Sequence, residues 1–140
     1  VDNSQNLPPI ENVTIIPNEN LGGAGGFSRG LLTLKESKDY THCLFMDDDA
    51  SCEVDGIKRT LALLTYAKDK ELAVGGAMLR EETMYLQYEN GARFDGLLHP
   101  NKAGLDLRQQ NSCIVNEFEE RIDFCGWWFF AFPLSKVKHL

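Results

Sequence analysis

The chain has 140 residues, 43% of them hydrophobic and 25% charged, the balance of a globular domain with enough apolar residues for a core of its own. Lys and Arg number 14 against 21 Asp and Glu, a formal net charge of −7. That excess argues against a general surface for nucleic acid or anionic membrane, but leaves room for one phosphorylated small molecule at a local site. No signal peptide is recognisable, and no apolar run is as long as a membrane span.

Val1-Asp2-Asn3-Ser4 reads as the tail of a strand entering a turn, because Asp, Asn and Ser bond their side chains to nearby backbone. Residues 4–12, with Pro8-Pro9, read as a loop, and Val13-Thr14-Ile15-Ile16 as a β-branched strand closed by Pro17. A glycine-rich stretch follows, Asn20-Leu21-Gly22-Gly23-Ala24-Gly25-Gly26-Phe27. Phe27, Leu31 and Leu34 keep the spacing of a buried helical face, so a helix should begin within the glycines and end near Ser37. Bare glycines in a first turn let an anionic or carbonyl-bearing ligand approach the backbone; tight packing of the helix is the equal alternative. The spacing fits neither the dinucleotide fingerprint nor the phosphate loop.

The most informative stretch is Cys43-Leu44-Phe45-Met46-Asp47-Asp48-Asp49. A short apolar run ending in charge reads as a strand buried on both faces of a parallel sheet. Ligands of such sheets bind beyond the carboxyl ends of the strands. If the backbone stays extended, Asp47 and Asp49 leave it on the same side, and two carboxylates there suit a hard divalent cation shared with substrate phosphates. The alternative is a solvated acidic loop that caps the next helix. In that helix Asp55 can cap, Ile57, Leu61 and Leu64 form the apolar face, and Lys58, Arg59 and Lys68 face water. Ala73–Leu79 then reads as a strand whose Gly75-Gly76 pair admits a close neighbour. Strand, helix, strand, helix, strand implies an α/β fold with a mainly parallel sheet flanked by helices.

After Arg80 the pattern changes. Met84 to Tyr88 alternates as a strand, Asn90-Gly91 is a hairpin signal, and 92–116 is loop-rich, with His99 a surface residue. Glu117, Glu119 and Glu120 read as a solvated face. An aromatic run from Phe124 to Phe132 follows; on a strand Trp127 and Trp128 would point to opposite faces, leaving one indole for a sugar or base. Val137-Lys138-His139-Leu140 looks like an unfinished helix, and with no Met start the chain reads as a piece of a longer protein. The four cysteines form no CxxC pair or zinc-like spacing; Cys43 and Cys125 read as small buried hydrophobes in a reducing, cytoplasmic setting.

Asn20–Phe27, Phe45-Met46-Asp47-Asp48-Asp49, Val74-Gly75-Gly76-Ala77-Met78-Leu79 and Gly126-Trp127-Trp128 occur in the order of one known pattern. The chain resembles the GT-A-fold glycosyltransferases of family 2, in their galactofuranosyl- and rhamnosyltransferase-like branch. The resemblance implies the central part of one GT-A domain truncated at both ends, with 1–80 the nucleotide-binding half and 81–140 the start of the acceptor-binding half. It also implies inverting transfer of a sugar from a nucleotide diphosphate donor, UDP- or dTDP-linked, to a hydroxyl of a glycan or lipid-linked acceptor. Asp2, Asn20, Gly22, Gly23, Asp47 and Asp48 would then contact the nucleotide-sugar. Asp47 and Asp49 would hold Mn²⁺ or Mg²⁺, and Trp127 and Trp128 would line the donor–acceptor site. The general base and a metal-binding His are expected beyond Leu140, so the parent would be the enzyme and this piece inactive, cytoplasmic or peripheral at the inner membrane face. A missing first strand would leave a sheet edge that favours a homo-oligomer. The competing reading from another class is a non-catalytic divalent-metal or nucleotide-binding module. A third reading, a nucleotidyl- or phosphotransferase with a metal-binding Asp triplet, lacks the phosphate-loop lysine of one common type.

Overall fold

The structure, a computed structural model, describes residues 1–118 and 120–138. Glu119 of the expected acidic face and the His139-Leu140 end of the expected last helix lie outside the described residues. The elements are α1 (Gly22–Ser37), β1 (His42–Phe45), α2 (Val54–Tyr66), β2 (Val74–Gly75), β3 (Met78–Arg80), β4 (Thr83–Glu89), β5 (Ala92–Phe94), β6 (Leu98–Pro100), α3 (Gln110–Asn116) and β7 (Phe130–Pro133), followed by a 3-10 turn at Leu134–Lys136. The chain divides into two compact units: Val1–Cys43 with the chain from Phe132 on, and Leu44–Ala131. No helix among the described residues is long and apolar enough to cross a membrane.

In the first unit α1 starts in the glycine run and stops at Ser37 as expected, followed by Lys38 in the left-handed region at φ 57°. Leu31 is its buried anchor, and Lys35 Nζ donates to the Val137 carbonyl at 3.0 Å. Val13–Ile16, expected as a strand, is not one. Among the described residues the nearest pairing is a parallel bridge between Asp2 and the adjacent Pro17, with Asp2 N–H donating to Ile16 O at 2.9 Å. The partner turns away at Ser4, so no second pair can form. The expected helix at the C-terminal end is likewise corrected: one 3-10 turn follows Pro133, and Val137 is already extended at φ −80°, ψ 93°.

One sheet has the strand order β1-β7-β2, and β2 pairs antiparallel with β7 through Val74–Ala131 and Gly75–Phe130. A mainly parallel sheet was the expectation; the described strand pairs with assigned register, β2–β7, β3–β4 and β5–β6, are all antiparallel. The difference arises because β7 returns between the two strands that α2 connects. The expected strand 73–79 breaks at Gly76, whose N–H donates to Phe129 O at 2.8 Å.

The second unit holds both hairpins. Glu81-Glu82 makes the turn between β3 and β4, while Asn90-Gly91, expected as a hairpin, joins strands of two different sheets. Gly91 still needs its glycine, with φ at +73°. Gln87 is buried, and its amide donates to Lys102 O at 2.7 Å and accepts from Asn116 Nδ2 at 2.9 Å, tying 102–116 to β4. These contacts order a region that reads as loop-rich in sequence. On α2 only Leu64 is buried; Ile57 and Leu61 are exposed, contrary to expectation. Asp55 does not cap α2. It lies inside the first turn and pairs with Arg59 at 2.7 Å, an exposed i,i+4 pair worth a few tenths of a kcal/mol, roughly 0.3–0.5.

Candidate functional site

The acidic segment belongs to the second unit. Along β1, Cys43 and Phe45 are buried while His42 and Leu44 are half-buried, so one face is better covered than the other. Burial raises the Cys43 thiol to about 11, which suits a packing role, and all four cysteines are free. The strand ends at Phe45, and Ala50 N–H donates to Asp47 O at 3.2 Å, closing a turn over Asp48 and Asp49. The expectation that Asp47 and Asp49 share one side of an extended backbone does not hold, because the backbone is not extended there. Asp47 is half-buried, Asp48 and Asp49 are exposed, and among the described residues none of the three carboxylates has a hydrogen bond or ion pair. Also among the described residues, no group of three or more His, Cys, Asp or Glu is arranged to hold a metal unaided. The turn does supply hard oxygen donors of the type Mg²⁺ and Mn²⁺ accept when phosphate and water complete the shell.

Trp127 and Trp128 stand in a turn before β7, not on a strand, so the opposite-faces argument does not apply to them. They nevertheless part company. Trp128 is half-buried and its indole Nε1–H donates to Gly76 O at 3.0 Å. Its six-membered ring occupies the space that a side chain on Gly126 would fill. Trp127 is 41% exposed, with its ring tilted 52° against Phe45 at a centroid separation of 5.3 Å. Phe45 is two residues before Asp47, so one side chain of β1 supports the tryptophan while the next turn carries the acids.

Asp2, Asn20, Gly22 and Gly23 belong to the first unit. Asp2 is buried at 4% exposure and its carboxylate is filled by the chain itself. Oδ1 accepts from Ser4 Oγ at 2.6 Å, Ser4 N–H at 2.9 Å and Gln5 N–H at 3.0 Å, and Oδ2 accepts from Leu7 N–H at 3.0 Å. The Ser4 hydroxyl, then the Leu7 amide, hold this carboxyl down at about 2. Asn20 is exposed, and its Oδ1 accepts from Gly22 N–H at 3.2 Å, satisfying one free donor of α1. Gly22 (φ +71°) and Gly23 would meet nothing within 4 Å if they carried a Cβ; a Cβ on Gly26 would lie 3.0 Å from Asn3 Nδ2. The glycine run therefore splits into an open pair and a packed remainder.

One grouping has no counterpart in the sequence reading. Arg93, Phe94, Asp95, His99 and Asp123 line an open cleft of about 340 Å³ on the β5–β6 hairpin. His99 Nε2 and Asp95 Oδ1 are 2.9 Å apart, and this contact, ahead of the Leu97 amide, lowers the Asp95 carboxyl. The available signal was Asp95 and His99 four apart around Gly96, a spacing that brings them close on a tight hairpin in which His99 pairs with Arg93.

No family model matches the chain, and no solved structure matches it significantly. It is similar to the galactofuranosyltransferase GlfT2 of Mycolicibacterium smegmatis, 33% identical over 134 residues, covering 86% of this chain and 21% of that protein. It is also similar to GlfT2 of Mycobacterium tuberculosis, 45% identical over 133 residues with the same coverages of 86% and 21%. The chain is thus related in sequence to glycosyltransferases, and it spans about a fifth of the length of these curated relatives.

Proposed function

We propose that the protein carrying this chain is a metal-dependent, inverting glycosyltransferase that moves a galactofuranosyl-type sugar from a nucleotide diphosphate to a hydroxyl acceptor. The observation that carries this reading is the similarity to two galactofuranosyltransferases. The unpartnered carboxylates after β1 agree with it. Asp47 and Asp49 would hold Mn²⁺ or Mg²⁺, with the donor's diphosphate completing the shell. When bound, the cation neutralises charge on the leaving diphosphate.

The chain's own residues have separable tasks in this reading. Asp48, at the tip of the turn, faces the nucleotide-sugar. Trp127 presents an exposed indole to the apolar face of a sugar ring. Trp128 is a positioning residue: anchored on Gly76 O, it fixes the turn from which Trp127 projects. The first unit, taken by itself, leaves the start of α1 open to a ligand at Gly22 and Gly23, Asn20 sets its first turn, and Asp2 holds the 3–7 loop. The acceptor hydroxyl needs a general base. Carboxylates committed to a cation are poor bases, so we assign that role to a part of the related proteins that this chain does not span. The 140 residues alone should then bind donor without turning it over. A GT-A-type α/β fold belongs to the same proposal, supported by the β1-α2-β2 unit.

The test uses the protein that carries this chain, with UDP-galactofuranose, Mn²⁺ and a panel of oligosaccharide and lipid-linked acceptors. Asp47→Ala and Asp49→Ala should each lower transfer by about 100-fold or more, the scale of losing one electrostatic stabiliser of the transition state. Asp48→Ala should cost less, about tenfold or below, and all three should melt like the parent. Undiminished transfer in both Asp47→Ala and Asp49→Ala would overturn the assignment.

A further inference from the structure

The cleft on the β5–β6 hairpin combines features that point to one class of ligand. Arg93 and His99 are direct cross-strand partners, and Asp95 lies beside His99 at 2.9 Å. Asp123 is fixed at the rim, where its Oδ2 accepts the Phe94 N–H at 3.1 Å while its own N–H donates to Ala92 O at 2.9 Å. Two carboxylates thus face one guanidinium and one imidazole. The balance matters for what can bind. Two carboxylates against one guanidinium disfavour a phosphate, and among the described residues Asp95, His99 and Asp123 are not arranged to hold a metal ion. A neutral ligand rich in hydroxyls suits both, since carboxylates accept, Arg donates and His can do either. Phe94, also in the lining, is 62% exposed and offers the apolar surface on which the C–H face of a sugar ring can lie. A volume of about 340 Å³ is at the lower end for a ligand site and accommodates one or two sugar units.

We infer that this cleft is a saccharide subsite for the acceptor glycan, with Arg93, Asp95, His99 and Asp123 binding hydroxyls and Phe94 supporting the ring. The inference rests on the glycosyltransferase reading for its ligand class. The donor's diphosphate is already assigned to the Asp47–Asp49 turn, so the subsite belongs to the acceptor.

The experiment is an amide and side-chain NMR titration of the 140-residue chain with a galactofuranosyl disaccharide lacking any phosphate. Inorganic phosphate and Mn²⁺ are titrated separately. The disaccharide should move resonances of Arg93, Phe94, His99 and Asp123, and Phe94→Ala and Arg93→Ala should each weaken binding about fivefold or more, the range of one lost stacking or bidentate contact. Melting temperatures should not change, because both side chains are at the surface; Arg93→Lys, which keeps the charge and loses the planar fork, is the second variant and should weaken binding too. Shifts centred elsewhere with the cleft silent, no binding, or phosphate or Mn²⁺ occupying the cleft in place of the disaccharide would each overturn the inference. UDP-galactofuranose with diamagnetic Mg²⁺ is titrated in parallel. Donor-induced shifts at Asp47–Asp49 with a silent cleft would remove the subsite and leave the glycosyltransferase reading standing. Loss of both responses would remove the two together.

Discussion

Two acidic positions in this chain have opposite fates. Asp2, in the first unit, accepts four hydrogen bonds from Ser4, Gln5 and Leu7 and is buried. Asp47–Asp49, in the second, end a covered strand in a turn where no described donor reaches them. A carboxylate whose lone pairs are filled by the chain's own N–H groups is part of the scaffold. One left unpaired beside a strand end keeps its acceptor capacity for a ligand. A related contrast in exposure runs within like pairs: Trp128 is half-buried with its indole N–H on Gly76 O while Trp127, against Phe45, is 41% exposed, and Gly26 is packed while Gly23 has open space around it. Residue type alone does not separate the members of these pairs; their surroundings do.

The tryptophans give the largest effect on stability. Trp128→Ala removes a half-buried indole and leaves Gly76 O without its donor, so a loss of about 3 kcal/mol is expected, at the lower end for a large aromatic. Gly126→Ala should also destabilise, because the new methyl meets the Trp128 ring. Trp127→Ala should cost less than about 1 kcal/mol while lowering turnover in the parent protein, as befits a side chain that is 41% exposed. Paired thermal melts and kinetics decide it. Equal structural losses at the two positions would erase the contrast.

Asp2 offers a pH test of the contrast. Its carboxyl is depressed to about 2 from an ordinary 3.8, first by the Ser4 hydroxyl and then by the Leu7 amide. A depressed carboxylate contributes stability that is fully present above its unfolded value and is lost as pH falls through the folded one. Melting temperature should therefore decline between about pH 4 and pH 2, and Asp2→Asn should lower it at pH 7 and flatten that decline. A variant as stable as the parent at neutral pH would mean that the four hydrogen bonds do not hold the 3–7 loop.

How much of this was readable in advance depended on whether the cause was local. α1 could be placed because its glycine start and its Phe27, Leu31 spacing lie within the helix itself. The strand at Cys43–Phe45 and the turn into Asp47 follow from a change of polarity along five residues. Partners are another matter. Val13–Ile16 has strand-forming residues but, among the described residues, no neighbouring strand, and Asn90-Gly91 has hairpin chemistry without two strands that pair across it. Ile57 and Leu61 have the right period and remain uncovered. The fate of Trp127 and Trp128 was set by the Gly76 carbonyl, some fifty residues away in sequence, which no periodicity reveals. The cleft at Arg93 and His99 was missed for the same reason, since cross-strand register brings it together.

The smallest effect is also the cleanest separation of access from packing. A Cβ at Gly23 meets nothing within 4 Å, and Gly23 has no positive φ, so Gly23→Ala should gain stability, roughly 0.5 kcal/mol, from reduced freedom of the unfolded chain. Gly26→Ala faces Asn3, whose amide accepts from Asn18 Nδ2 at 2.9 Å and must shift to make room. The helix-propensity gain there is offset by that crowding, and a net loss of about 1 kcal/mol is expected. The functional arm uses Gly23→Val in the parent protein: a branched side chain at the open start of α1 should weaken binding of the nucleotide diphosphate with little change in melting temperature. Calorimetric titration and a thermal melt on the same sample read both quantities. If Gly23→Val melts early and the folded fraction binds normally, the glycine serves packing, and the open end of α1 has no part in holding the donor.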